Sequence, residues 1–330
     1  MRDAPRGADP AIERAVVILR RGGLVAFPTE TVYGLGADAR NEAAVRRIFE
    51  VKGRPIDHPV IVHLPDATHL TRWAVAIPDA AMRLAEAFWP GALTLVLKRA
   101  EHVLDEVTGG QDTVGLRVPY HSVALDLLQA FGDGIAAPSA NRFGRLSPTS
   151  AADVRIELGQ DVDLVLDGGR CELGIESTIV DMSGPRPRLL RPGGIRVAAI
   201  AEIIGSEPVV AGSDAPRAPG RLVAHYSPRT EMALIASRGF ASAVRAHMRA
   251  GQRVAVFARQ RVPPSANVIE LPAPASPREY AHVLYRALRR LDAADVDLIL
   301  VEAVPEGPEW LAVRDRLRRA ARRELVDDEP

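Results

Sequence analysis

Over the first 205 residues, short apolar runs alternate with stretches of helical periodicity, the pattern of an α/β sheet domain. Asp9 and Pro10 supply an N-cap and a first helical residue, Ile12, Val16 and Leu19 follow at helical spacing, and Gly22 and Gly23 stop the helix. Residues 24–27 then read as a buried strand, 28–36 as a loop and 41–51 as a helix. Further strands are expected at 60–64, 93–98, 114–118, 135–137, 162–166, 178–182 and 188–190, making one mixed sheet with helices on its faces.

From 206 to 229 the periodicity gives way to Pro, Gly, Ala and polar residues, the composition of a linker. A second, smaller domain follows. Strands at 232–236 and 253–257 flank a helix at 240–250, and Ser276, Pro277 and Glu279 open another helix with a capping-box pattern. Leu284, Leu288 and Leu291 mark that helix's buried face; a strand at 297–301 and a helix at 310–323 complete the chain. The order β-α-β-β-α-β-α suggests a small three-layer domain of Rossmann-like kind. No internal repeat interrupts it.

Of the 330 residues 47% are hydrophobic and 25% charged, as in a folded soluble protein. Basic and acidic residues cancel at 42 each, so no global positive field exists to hold nucleic acid or an anionic membrane. The one cysteine, Cys171, excludes an intrachain disulfide and a cysteine-based zinc site, and suits a reducing cytosol. The longest apolar run near the N-terminus, 16–19, is too short for a signal-peptide core or a membrane span, so no export is expected. Only two of the 42 basic residues are lysines, Lys52 and Lys98. Each therefore asks for a reason.

The phosphate loop of P-loop kinases, the dinucleotide fingerprint, the His-Glu-x-x-His zinc motif and the nucleophile elbow are all absent. His58 and His63 flank a strand, so a zinc site there would need a third ligand from elsewhere. What remains is a set of polar residues in loops at strand ends, where sheet proteins place their ligands. The loop 28–36 crowds the hydroxyls of Thr29 and Thr31 beside Gly34 and Gly36; the two threonines would equally serve as turn residues bonding their own backbone. Lys52 and Arg54 stand two residues apart around Gly53, fit either to hold a polyphosphate or to complement a helix C-terminus. Arginine would serve the second purpose as well, so a lysine in this chain favours a site that needs a point charge.

Ser139 and Asn141 end a buried strand and offer a hydroxyl and an amide to a phosphate or a nucleobase. Ser147 lies a short loop later, in what also reads as the N-cap region of a helix near Ala151. Thr113 and Arg117 mark the two ends of one strand. Arg117, in apolar surroundings, must find an anion, either a ligand's or that of a buried ion pair. Ser177 opens another strand and Arg191 closes the next. Together the cations Lys52, Arg54, Arg117 and Arg191 and the hydroxyls of Thr31, Ser139 and Ser177 describe an anion pocket. Such a pocket suits chemistry done by positioning and charge stabilisation, as in phosphoryl or nucleotidyl transfer.

The run 27–36, the Lys52–Arg54 and Ser139–Asn141 pairs, and the runs 174–180 and 189–193 closely resemble the threonylcarbamoyl-AMP synthase family of YrdC-like fold, over about the first 200 residues. Residues 218–220 and 225–228, with the domain after them, resemble the family's long form. The resemblance implies a YrdC-like catalytic domain at 1–205, an α/β twisted mixed sheet with flanking helices. It also implies a linker over the active site at 206–230 and a smaller Rossmann-like α/β C-terminal domain at 231–330.

It implies a reaction too. L-threonine, bicarbonate or CO2, and ATP with Mg2+ give threonylcarbamoyl-adenylate, pyrophosphate and water, for the N6-threonylcarbamoyladenosine beside the anticodon of tRNA. A separate threonylcarbamoyl transferase complex would do the second step. Contact with tRNA is then expected to be weak and indirect at most, with no membrane association and a cytoplasmic location.

Carried over position by position, threonine would contact Thr31, His63, Arg117, the backbone near Ala137, and Ser177. ATP would contact Lys52, Arg54, His58, Thr113, Ser139, Asn141, Ser147 and Arg191, with Tyr226 reaching over from the linker. Lys52 and Arg54 would carry the catalysis by neutralising the departing pyrophosphate, and no protein metal site is implied. The chain departs from the family's usual text at 221–224, where Arg, Leu, Val and Ala replace Met, a basic residue, Tyr and another basic residue, and at His58, where asparagine is usual.

Two other readings are a carbamoyl-transfer maturation factor of the hydrogenase type, whose cysteine-rich zinc modules a one-cysteine chain lacks, and an RNA-binding module of the same fold. The second is opposed by 23 basic against 26 acidic residues up to Gly205.

Overall fold

Helix boundaries in the protein are set by local chemistry. In the computed structural model, which describes residues 9–212, 214–220, 226–262, 264–321 and 323–325, Asp9 accepts from the Ala11 amide and Pro10 opens the helix Pro10–Arg20. Asn41 caps the helix Glu42–Lys52 by accepting from the Ala44 amide, and Gly53, in the left-handed region at φ 63°, ends it. Lys52 is therefore the last helical residue, with its side chain turned into the protein.

Ten strands form the sheet of the first unit: β1 (Val25–Phe27), β2 (Gly34–Asp38), β3 (Ile61–His63), β4 (Leu93–Lys98), β5 (Thr113–Arg117), β6 (Ile135–Ala136), β7 (Leu164–Val165), β8 (Thr178–Asp181), β9 (Arg188–Arg191) and β10 (Val209–Val210). Their order is β10-β9-β8-β4-β5-β3-β6-β2-β1-β7. Parallel and antiparallel pairs mix, with β3 parallel to β5, β4 antiparallel to β5 and parallel to β8, and β8 antiparallel to β9. This register brings His63 opposite Arg117, and Ile179 opposite Arg191.

Two differences from the sequence reading matter for the site. The loop expected over 28–36 ends early, because Gly34 already pairs with Phe27 across the β1–β2 ladder. Its small residues had hidden the strand, and Gly36 is required there, since a Cβ would lie 2.7 Å from the Phe27 ring. The segment after 205 is also more ordered than its composition suggests: β10 pairs with β9, and Ala218 packs with Ile61, Val96, Ile179 and Leu190.

The described residues up to 143, with 148–172 and 176–220, form one compact unit, and 144–147, 173–175 and those from 226 onward form a second. The second unit holds an all-parallel sheet of order β13-β12-β14-β11-β15, with β11 (Met232–Ile235), β12 (Val254–Ala258), β13 (Val268–Pro272), β14 (Leu298–Glu302) and β15 (Arg323–Leu325). Ser276 caps the helix Pro277–Asp292 by accepting from the Glu279 amide. The last helix, expected to reach 323, stops at Ala320 and gives way to β15. Among the described residues no helix is long and apolar enough to cross a membrane.

Candidate active site

The first group of site residues gathers at the C-terminal ends of β3 and β5. Arg117 closes β5, and its guanidinium is engaged on every nitrogen: Nε donates to the Gly91 carbonyl at 3.1 Å, Nη1 donates to Thr31 Oγ1 at 3.0 Å, and Nη2 forms an ion pair with Glu30 Oε1 at 2.7 Å. Thr29 takes the turn role, accepting from the Thr31 and Val32 amides and donating to the Val32 carbonyl at 2.7 Å. Its proton is thus committed, so across the 2.7 Å contact between the two hydroxyls Thr31 is the donor. A directed chain runs Arg117 to Thr31 to Thr29.

His63 ends β3 beside this chain. Burial first, and the Arg117 charge second, push its pKa down to about 3, so the imidazole is neutral at physiological pH. Its Nδ1 is buried without a hydrogen-bond partner among the described residues. A neutral ring with a free nitrogen is equipped to bond a ligand, not to pair with an anion. Ala137, just beyond β6, is tied to β3 through its amide, which donates to the Ile61 carbonyl.

The second group is held by Lys52. Its Nζ donates to the carbonyls of Ser139 at 2.6 Å and Asn141 at 2.5 Å, while its own carbonyl accepts from the Phe143 amide. Burial, reinforced by Arg54, pulls the Lys52 pKa well below the ordinary lysine range. The point charge inferred from the scarcity of lysine is thus used, in this state, by the protein's own backbone. Arg54 donates to the Pro59 carbonyl and lies over the Phe143 ring, which His58 also meets edge-on. Burial and Arg54 lower the His58 pKa.

Arg191 organises the third group. Nε and Nη2 both donate to the Ser177 carbonyl, Nη2 also reaches Ser177 Oγ at 3.1 Å, and Nη1 donates to the Pro219 carbonyl. Gly193 makes this closeness possible, because a Cβ there would fall 2.3 Å from the Ser177 carbonyl carbon. Ser177 Oγ is 2.8 Å from Thr94 Oγ1. Thr113 and Thr94 line a shallow recess floored by Ile61, Val96 and Ile179 and roofed by Arg217, Ala218 and Pro219. The roof is pinned: the Arg217 amide donates to Gln111 Oε1 at 2.6 Å, and its guanidinium to the carbonyls of Asp57 and Gly109.

The remaining two expected residues, Ser147 and Tyr226, fall in the second unit. Tyr226 is 1% exposed, packs 5.9 Å from the Tyr285 ring and lies under the Arg316 guanidinium. That environment fits an aromatic anchor for the end of the linker. The departures at 221–224 and the motif residue His225 lie outside the described residues. Among the described residues no three His, Cys, Asp or Glu side chains stand close enough to hold a metal.

Residues 17–193 match a family model described as telomere recombination, that of Sua5, YciO and YrdC, and residues 195–322 match the threonylcarbamoyl-AMP synthase C-terminal domain. The chain belongs to the threonylcarbamoyl-AMP synthase family. It is 41% identical to the threonylcarbamoyl-AMP synthase of Pyrococcus abyssi over 326 residues, 94% of each chain, and 39% identical to that of Bacillus subtilis, covering 95% of this chain and 93% of the relative. A crystal structure of P. abyssi Sua5 complexed with L-threonine superposes with a TM-score of 0.88 over 94% of both chains.

Within this family fold, sequence reasoning left three participants without a role. Glu30 stood unremarked in the loop 28–36, although a buried arginine needs a carboxylate and this is the loop's one candidate. Thr94 is a hydroxyl in an otherwise apolar run of five, LTLVL. Phe143 carried no signal beyond its aromaticity.

Proposed function

We propose that the protein joins L-threonine, bicarbonate or CO2, and ATP into threonylcarbamoyl-adenylate, releasing pyrophosphate, and water where bicarbonate supplies the carbon. What supports this most is the match along 94% of both chains to a Sua5 structure whose bound molecule is L-threonine. The geometry suits the assignment residue by residue. Arg117, steadied by Thr31, offers donors to the amino-acid carboxylate, and we assign neutral His63 and Ser177 to its hydroxyl and amine. Lys52, Arg54, Thr113, Ser139, Asn141 and Arg191 form the cationic and hydroxyl-bearing surface for the nucleotide, to which we assign His58 as well.

The deprotonated threonine amine adds to CO2 to form a carbamate, whose oxygen attacks the α-phosphorus and expels pyrophosphate. Lys52 and Arg54 stabilise the charge that develops on the leaving group, and hold the reactants in line. Mg2+ enters as the ion that ATP carries on its phosphates, where it supplies further neutralisation. To the Arg217–Pro219 segment, which lines the recess, we assign the role of limiting water at the labile carbamate and adenylate. The product feeds N6-threonylcarbamoyladenosine formation on tRNA through a separate cytoplasmic transferase complex, so this protein needs no firm grip on tRNA.

The test is pyrophosphate release from ATP with threonine and bicarbonate added singly and together. Release only when both are present supports the reading; release independent of threonine rejects it.

A further inference from the structure

Arg117 is neutralised before any ligand arrives. Glu30 Oε1 sits 2.7 Å from Arg117 Nη2, and the two side chains are 6% and 5% exposed. The other carboxylate oxygen, Glu30 Oε2, accepts from the Tyr120 amide at 3.0 Å, which fixes the carboxylate in place. Thr31 and Gly91 hold the remaining nitrogens of the guanidinium. The groups packed on this pair add no charge: His63 is neutral, and burial raises the Cys171 thiol to about 12. In a site with little water a charge is felt over several ångströms, so a ligand here meets the sum of Arg117 and Glu30, not the arginine alone.

We propose that Glu30 is a specificity-determining residue that makes the amino-acid recess select a net-neutral zwitterion over an anion of the same shape. The inference rests on the proposed function, which puts the threonine carboxylate at Arg117. Arg117 retains further N–H groups for that carboxylate, because it carries five and the protein contacts use three. A carboxylate without a companion ammonium would leave one uncompensated negative charge beside Glu30. Free threonine brings its own compensation. Glu30 thereby excludes the hydroxy acids and N-acylated amino acids that share threonine's carboxylate and side chain. The selected ligand carries the nitrogen that the carbamate-forming step needs, and its ammonium gives up a proton before that step.

The test is calorimetric binding of L-threonine and of 2,3-dihydroxybutanoate, its α-hydroxy isostere, to the full-length wild type and to Glu30→Gln and Glu30→Asp. Wild type should favour threonine strongly, Glu30→Asp should keep that preference, and Glu30→Gln should shrink it by about tenfold, the order of one partly screened charge interaction. The ratio is taken within each variant, so a general loss of affinity does not imitate the effect. An unchanged ratio in Glu30→Gln, or loss of both ligands together, makes Glu30 a structural brace and overturns the proposal. If wild type binds neither ligand, the functional reading itself falls, and this inference with it.

Discussion

Lys52 and Ser139 are joined by a single hydrogen bond from the lysine Nζ to the serine carbonyl at 2.6 Å, and the same nitrogen holds the Asn141 carbonyl. Two carbonyls converging on one nitrogen explain why lysine stands here in a chain that otherwise uses arginine. A guanidinium is larger and planar, so it would have to displace these two carbonyls, whereas the compact ammonium fits between them. The end of the helix Glu42–Lys52 and the loop that follows β6 are therefore tied together.

Breaking that joint has a definite expectation. Lys52→Met leaves two buried carbonyls without donors, which costs about 2–4 kcal/mol, and removes a cation from the nucleotide surface. Chemical denaturation should record the loss, and turnover should fall by about a hundredfold or more. Lys52→Arg should restore the charge without restoring either quantity. Full activity in Lys52→Arg would show that charge alone matters.

The neutral state of His63 predicts a pH dependence of stability. Its folded pKa of about 3 lies below the ordinary histidine value of 6.5, so between these limits the unfolded chain binds a proton that the folded protein refuses. Stability should therefore fall as pH drops through this window, by up to about 1.4 kcal/mol per pH unit from this one group. His63→Gln removes the group, and its urea midpoints between about pH 6.5 and 4.5 should decline less steeply than those of wild type. Parallel declines would refute the assignment.

Gly193 permits the contact between Arg191 and Ser177. Gly193→Ala would drive a Cβ into the Ser177 backbone, where no flexible side chain can give way. The expected cost is about 1–3 kcal/mol in thermal or chemical unfolding, together with weaker binding of both ATP and threonine. Unchanged binding would separate this crossing from the site.

The roof over the Thr113 recess hangs on Arg217. Arg217→Ala deletes the two guanidinium contacts to Asp57 and Gly109 while leaving the backbone pair with Gln111. Amide exchange should quicken over residues 214–220 with little change in global stability, and the KM for ATP should rise several-fold. Exchange no faster than in wild type would mean that Ala218 packing alone holds the segment.

Much of this was legible in the sequence wherever a signal was local. Asn41 and Gly53 bracket their helix, and β4 follows its apolar run residue for residue. β2 escaped because Gly34 and Gly36 carry no side chains to alternate, and β10 because its two valines are exposed and stand in a Pro- and Gly-containing stretch. The site followed the same rule. Arg117, Lys52 and Arg191 announce themselves as cations in apolar or glycine-rich settings, but their partners do not. Lys52 and Arg191 bond backbone carbonyls, which have no letter in the sequence, and Glu30 meets Arg117 only after β1 and β5 enter one sheet.

The central claim is that one cleft couples carbonate carbon, threonine and ATP. Incubating the protein with ATP, L-threonine and 13C-labelled bicarbonate, and weighing the nucleotide product, tests it most directly. The account predicts an adenylate that contains threonine and is one mass unit heavier than its unlabelled counterpart. An adenylate of threonine alone, or AMP with no label in any adduct, would contradict it.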